Sequence, residues 1–243
     1  MIPRRVKEHF NNRKWPAVML DFAIVVTGVF IGLQFENWNN ARQTEAAFED
    51  AQERLLAESR ANLETVDTFL ANVEARLDAA TAAIETLRAC RTEESARQVI
   101  ALGANTIRGT ATLRLRQTAL SAITGNDDFL SLLGSAEREQ VQEFERRLSQ
   151  SQKTLDWLES WPFSDSIEGH LQLGYTDLAN IQGVEDIRMR NLTIEAPLDE
   201  LCKDKAFLKS FYLYERTATI QTIRGRQIKA WLSENITEME KEH

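Results

Sequence analysis

A run of apolar residues covers positions 15–35, close to the start of the chain. Its 21 residues include a single charged side chain, that of Asp21. As an α-helix this run would be about 31 Å long, which matches a hydrocarbon core of roughly 30 Å. Trp15 and Trp38 bracket it, as amphipathic aromatic residues do at the two interfaces of a membrane. The pattern predicts one transmembrane helix whose interface anchors are Trp15, Asn37, Trp38 and Asn39.

Charge is unevenly distributed around this run. Residues 1–14 hold five basic side chains and one acidic side chain, whereas the remainder of the 243-residue chain is acidic and brings its net charge to -8. The positive-inside rule places residues 1–14 in the cytoplasm and the chain after the span outside. The alternative, a cleaved signal peptide, lacks a convincing small-residue cleavage site. We therefore expect a retained single-pass anchor that contacts lipid, with no nucleic acid as partner.

One face of the predicted membrane helix carries small residues and a carboxylate. Five positions are spaced four, three, four and four residues apart, so that they fall within about 80° of the helix circumference: Ala17, Asp21, Ile24, Gly28 and Gly32. Gly28 and Gly32 form a G-x-x-x-G match, which allows close approach of a second helix. Because a carboxylate inside a membrane is costly, we expect Asp21 to face a partner helix. The alternative is that it extends toward the basic tail and pairs with Arg13 or Lys14.

The stretch G-V-F-I-G-L-Q-F-E-N-W-N at residues 28–39 resembles the N-terminal signature of a family of uncharacterised bacterial single-pass inner-membrane proteins. That signature has an acidic residue early in the span and closes with an N-W-N motif. A weaker resemblance follows at residues 116–133, where the family often has a helix, a glycine turn and a short apolar helix. The resemblance implies a bacterial inner-membrane location and no activity. The matching positions are Asp21, Gly28, Gly32, Gln34, Asn37, Trp38 and Asn39.

Beyond the membrane run, the spacing of apolar residues predicts long helices. Only 10 Gly and 4 Pro occur in the chain, too few for the frequent turns of an all-β protein. No Gly or Pro lies between Leu33 and Leu102, and apolar residues from Leu63 to Leu87 keep a three-four spacing typical of a coiled coil. This seam requires cover, either from a second copy or from later helices of the same chain. The charged side chains beside it, such as Glu58, Arg60, Glu74 and Arg76, are interpreted as a solvated face.

The later helices follow from their start and stop signals. We expect one from Thr92 that Gly103 ends, one near 111–124, one from Ser135 that Pro162 terminates, and one over about 204–240. The expected organisation is all-α. It comprises a basic tail (1–14), a transmembrane helix (15–35) continuing into a stalk helix (36–91), and a periplasmic helical bundle (92–243) with a loop-rich insert at 162–200.

Catalytic motifs are lacking in the sequence. It contains no H-E-x-x-H, G-x-S-x-G, P-loop or G-x-G-x-x-G pattern, and a serine triad could use only His170. We therefore expect no enzyme activity, no cofactor and no metal site. Cys90 and Cys202 both fall on the oxidising side of the membrane, where they form either a disulfide or two unpaired buried thiols.

These features favour a non-enzymatic, membrane-anchored interaction protein. It associates with itself or with another inner-membrane protein through its transmembrane helix, and it presents a periplasmic helical domain to a partner. One alternative is an ion-driven subunit similar to stator proteins, in which Asp21 would carry protons. A second is a periplasmic ligand sensor built on a helical bundle.

Overall fold

The computed structural model describes residues 15–164, 167–180 and 188–242, so the tail at 1–14 lies outside it. The predicted all-α class is confirmed. Five helices come first: α1 (Trp15–Arg88), α2 (Glu94–Ile107), α3 (Thr118–Thr124), α4 (Asp127–Leu132) and α5 (Ser135–Ser164). A 3-10 turn and four short strands follow: Ile167–Gly169, β1 (Leu173–Tyr175), β2 (Ala179–Asn180), β3 (Arg188–Met189) and β4 (Leu192–Ile194). The chain continues through α6 (Leu198–Leu201) and α7 (Lys205–Glu242).

Helix α1 is continuous over 74 residues, which corresponds to a length of about 111 Å. The predicted continuity of membrane helix and stalk is therefore confirmed. Pro16 does not interrupt it, because a first-turn residue has no intrahelical partner for its N–H. At the far end, Cys90 N–H bonds to Leu87 C=O and Arg91 N–H to Thr86 C=O. These two bonds form a Schellman motif, and they place Cys90 in the left-handed region at φ 47°.

Later helices of the same chain cover the seam of α1. Val66, Val73 and Ala80 are almost fully buried in the common core. Helix α7 lies antiparallel to α1, as three ion pairs show, and the α1 members of these pairs are seven residues apart. The pairs are Arg60–Glu240 at 2.6 Å, Asp67–Lys229 at 2.6 Å and Glu74–Arg226 at 3.0 Å. Of the two predicted ways to cover the seam, the intramolecular one is therefore found.

Glycine 103 lies inside α2 instead of ending it, contrary to the prediction. The helix continues to Ile107, and Gly103 is buried where α2 approaches α1 and α7. A Cβ at this position would overlap Ala83 Cβ and lie 3.0 Å from Phe211 Cε1. The absence of a side chain therefore serves close helix packing and not a helix stop.

The helix predicted near 111–124 begins only at Thr118, because an irregular segment at 110–117 precedes it. Side-chain amides replace the missing helical hydrogen bonds of this segment. Asn62 donates to Arg116 C=O at 2.7 Å and accepts from Arg116 N–H at 2.9 Å. Gln152 donates to Leu113 C=O, and Gln221 donates to Ala111 C=O. Side-chain amides from α1, α5 and α7 thus form hydrogen bonds with backbone groups of a segment that crosses all three helices.

The segment predicted as a loop-rich insert at 162–200 contains a β-hairpin, and its residues 165–166 and 181–187 lie outside the described chain. Strand β1 pairs with β4, and β2 pairs with β3, both antiparallel. Three residues separate β1 from β2 but only two separate β3 from β4, so the two ladders form one hairpin with a bulge. Helix α5 also extends past Pro162 to Ser164, three residues beyond the predicted end.

The hairpin is fixed to α2 by side chains that seal the outer edge of β4. Asn105 accepts from Leu192 N–H at 2.8 Å and donates to Leu192 C=O at 2.9 Å, as a neighbouring strand would. Arg97 donates to Ile194 C=O at 2.6 Å. Strands of two or three residues are too short for an alternating pattern to identify them, which explains why the sequence predicted loops.

Candidate functional site

The N-terminal third of α1 stands apart from the rest of the described chain. Every residue from Val18 to Gln43 is exposed. An 18-residue stretch in this part is strongly apolar, with a mean hydropathy of 2.1, and none of its residues is buried. One helix near the N-terminus is therefore long and apolar enough to cross a membrane.

The predicted contact face is an open surface of this helix. Added Cβ atoms at Gly28 and Gly32 would meet nothing within 4 Å. Ile24 on the same face is 61% exposed. Asp21 forms no hydrogen bond or ion pair with the residues that the structure describes. The alternative partners of Asp21, Arg13 and Lys14, lie outside that range, as does the side chain of Ala17.

The juxtamembrane residues stack along one side of α1. The rings of Phe35 and Trp38 are 5.9 Å apart, and the Arg42 guanidinium lies 5.0 Å from the centroid of the Trp38 ring. Spacings of three and four residues place these side chains on one face. Asn37 and Asn39 are exposed on either side of Trp38. The side chain of the other predicted anchor, Trp15, lies outside the described part of the chain.

Residues 36–47 of α1, here called the neck, join the candidate membrane segment to the bundle. Residues 36–47 carry almost only exposed side chains, and Phe48 is the first buried residue of α1. Phe48 packs against Phe129 of α4, with ring centroids 5.6 Å apart. The bundle therefore begins about 20 Å beyond the apolar run, since twelve residues of helix intervene.

Cys90 and Cys202 form a disulfide in the structure, with their Cα atoms 5.3 Å apart. The bond joins the turn after α1 to the connection between α6 and α7, at the end of the bundle that is remote from the membrane helix. Cys90 is in a left-handed conformation that favours glycine.

No cluster suited to metal binding or triad chemistry occurs among the described residues. They contain no group of three His, Cys, Asp or Glu side chains that could hold a metal ion. His170 Nε2 lies 3.0 Å from Ser210 Oγ, and its imidazole contacts Phe207 edge-on. Within the described chain, no carboxylate is hydrogen-bonded to His170 to complete a triad.

One buried polar group lacks a partner in the part of the chain that the structure describes. The hydroxyl of Tyr214 on α7 is buried without a hydrogen bond. Burial raises the pKa of Tyr214, although the nearby Arg76 guanidinium opposes this shift. The hydroxyl therefore stays protonated at neutral pH and acts as part of the core.

Several charged residues interpreted as a solvated face instead connect helices. Glu58 accepts hydrogen bonds from the N–H groups of Ala119 and Leu120 in the first turn of α3. Arg76 donates to the C=O groups of Thr106 and Gly109 at 3.1 and 3.2 Å. Their position beside an apolar seam was the available signal, because seam flanks contact the neighbouring helix.

Comparison with known proteins gives no match for this chain, whether to a family model, to a curated protein or to a solved structure.

Proposed function

We propose that this chain is a single-pass membrane-anchored interaction protein without enzyme activity. It associates through the face of α1 formed by Ala17, Asp21, Ile24, Gly28 and Gly32, either with itself or with another inner-membrane protein. Its helical bundle is presented on the opposite side of the membrane from the basic tail, in the periplasm. The observation that carries this proposal is the open surface at Gly28 and Gly32, on a helix that the rest of the described chain leaves bare.

Physical chemistry supports a helix partner at this face. Lipid chains are as apolar as leucine, so membrane helices associate mainly through close packing and polar contacts. Gly28 and Gly32 expose backbone over one helical turn, where a second helix gains packing that lipid does not provide. Asp21 lies two turns away on the same face, where a hydrogen-bond donor of the partner helix would lower the cost of burying it.

The test of this proposal is a pair of matched double variants of the full-length chain in lipid vesicles. Gly28→Leu with Gly32→Leu fills the face, whereas Val26→Leu with Phe30→Leu adds leucine on the opposite side. Energy transfer between donor-labelled and acceptor-labelled chains measures self-association, and co-purification from native membranes measures association with another protein. We expect the glycine variant to lose at least one of these associations and the control to keep both. Retention of both in the glycine variant would refute the proposal.

Asp21→Asn separates this proposal from the ion-driven alternative. Asparagine keeps the capacity for hydrogen bonds but does not titrate, so a role in association predicts an unchanged complex. The readouts are association in vesicles and growth of cells in which the variant replaces the native chain. A growth defect in cells whose complex is intact would instead favour the alternative in which Asp21 carries protons.

A further inference from the structure

A cleft of about 470 Å³ opens in the bundle at its membrane-proximal end. It lies between α1, α5 and α7, and Ile123 of α3 and the end of α4 complete its lining. Its apolar floor includes Phe48, Leu55, Phe144, Trp231 and Met239. Four acidic side chains and one basic side chain also line it: Glu137, Glu143, Glu234, Glu238 and Arg147.

The cleft exists because two helical seams continue past the point where their helices are covered. On α5, buried residues recur from Leu158 back to Phe144 at spacings of three and four. The next positions of this seam, Val141 and Glu137, line the cleft instead. On α7, the seam continues to Met239 in the same way. None of the first nine residues of α5 is buried, so the other described helices leave this part of α5 at least partly exposed.

The charges around the cleft determine what fits into it. Glu143 is compensated, because Arg146 and Arg147 bind it at 2.6 and 2.7 Å. Glu234 and Glu238 lie one turn apart on α7, and neither pairs with a cation among the described residues. Like charges at this spacing destabilise a helix, and a bound cation would remove that repulsion. A second copy of the same cleft would instead add further negative charge.

We propose that this cleft binds an amphipathic helix of another protein, with apolar residues for the floor and Lys or Arg beside Glu234 and Glu238. Helix-in-groove recognition uses apolar residues at i, i+3 or i+4 and i+7, and these match seams of three-four spacing. Opposite charges at the rim then select partners and accelerate their association. The proposal rests on the proposed function in one respect, that the bundle meets a partner on its own side of the membrane.

The experiment uses the full-length chain in a neutral detergent and a labelled 18-residue peptide with a leucine face flanked by lysines. A peptide with glutamate in place of lysine is the matched probe. Fluorescence anisotropy, corrected for binding to empty micelles, gives the dissociation constants. We expect the lysine peptide to bind, the glutamate peptide to bind at least tenfold more weakly, and binding of the lysine peptide to weaken with salt.

Two double variants decide whether the cleft is the site. Glu234→Gln with Glu238→Gln removes the rim charges, and Glu45→Gln with Glu49→Gln removes an equally spaced exposed pair on α1. We expect at least tenfold weaker binding in the first and unchanged binding in the second. Equal loss in both variants, or no loss in the first, would overturn the proposal.

A single substitution in the floor tests the apolar part of the cleft. Val141→Asp is expected to abolish binding while the cooperative thermal unfolding of the bundle is kept, because Val141 is only partly buried. Full retention of peptide binding in this variant would also contradict the proposal. None of these variants changes Gly28 or Gly32, so failure of peptide binding and failure of membrane association are distinguishable.

Discussion

Between Val18 and Gln43, α1 exposes every side chain, whereas from Phe48 to Leu87 it buries one residue in every three or four. The backbone is the same helix throughout, and only the pattern of side chains changes. Up to Phe35 the first part is apolar on nearly all sides, as a membrane-spanning helix is, and the second has one apolar stripe, as a helix beside other helices has. One helix thus combines a candidate membrane-spanning part with a part that packs in the bundle, and we expect equivalent substitutions in the two parts to have different consequences.

The largest expected contrast involves phenylalanine. Phe211 of α7 is fully buried in the bundle core, whereas Phe22 in the candidate membrane part of α1 is 67% exposed. Phe211→Ala is expected to lower the free energy of unfolding by about 4 kcal/mol, because it removes buried apolar area and leaves a cavity. Phe22→Ala is expected to leave the unfolding of the bundle unchanged. Denaturant unfolding followed by circular dichroism measures both, and similar losses would contradict the division of α1 into two parts.

Removal of the disulfide comes next in size. The bridge closes a separation of 112 residues at the far end of the stalk, so Cys90→Ala with Cys202→Ala is expected to cost about 3 kcal/mol. Cys90→Gly with Cys202→Ala is expected to be more stable than that variant by about 1 kcal/mol, since glycine adopts the left-handed conformation without steric cost. Thermal unfolding of the two variants is the measurement. Equal stabilities would show that the conformation of residue 90 changes when the bridge is lost.

Glycine gives a smaller contrast between the same two parts. Gly103 faces the stalk part of α1, and Gly103→Ala is expected to cost about 2 kcal/mol because the new methyl group would overlap Ala83. Gly28→Ala adds a methyl group to an open surface and is expected to leave the stability of the bundle unchanged. Denaturant midpoints compare the two variants. An effect of Gly28→Ala as large as that of Gly103→Ala would mean that the membrane part contacts the bundle.

The smallest effect concerns pH. Hydrogen bonds from Arg146 and then Arg147 lower the pKa of Glu143 from 4.5 to about 2. A carboxylate whose pKa is lowered in the folded state contributes stability above about pH 4.5, and this contribution is lost as the pH falls toward 2. The effect is small, because solvent reaches the partly exposed side chain of Glu143 and screens both ion pairs. Glu143→Gln is therefore expected to flatten the fall of the thermal midpoint between pH 4.5 and 2, whereas Glu45→Gln in the neck is expected to leave it unchanged.

The parts of the fold that depend on long regular patterns were predictable from the sequence. A run free of Gly and Pro with three-four spacing identified the stalk, and the final long helix was predicted close to Lys205–Glu242. The irregular segment at 110–117 was not predictable in this way. It depends on Asn62, Gln152 and Gln221, which lie far away in the chain and donate to its backbone. Single residues that act through tertiary contacts leave no periodic signal.

The candidate membrane face was readable from the sequence because its residues lie on one helix, where spacing alone fixes direction. The cleft was not, because its walls come from several helices. Val141 and Met239 follow the three-four spacing of their own helices, and only the packing of α5 and α7 shows that they stay partly exposed and line the cleft. Gly103 was misread for a similar reason, since its role depends on Ala83 and Phe211.

Because α1 is uninterrupted, the directions in which side chains of its two parts point around the helix axis are fixed relative to each other. In an ideal helix with 100° per residue, Phe48 points about 160° away from Gly28, and Leu55 and Val73 point about 180° away. The side of α1 that carries the bundle is therefore opposite to the side that carries the glycines. In a dimer whose two α1 helices meet at Gly28, both stalks would lie next to the dimer axis. The other helices of each bundle would lie on the side away from the axis, and both clefts would stay accessible.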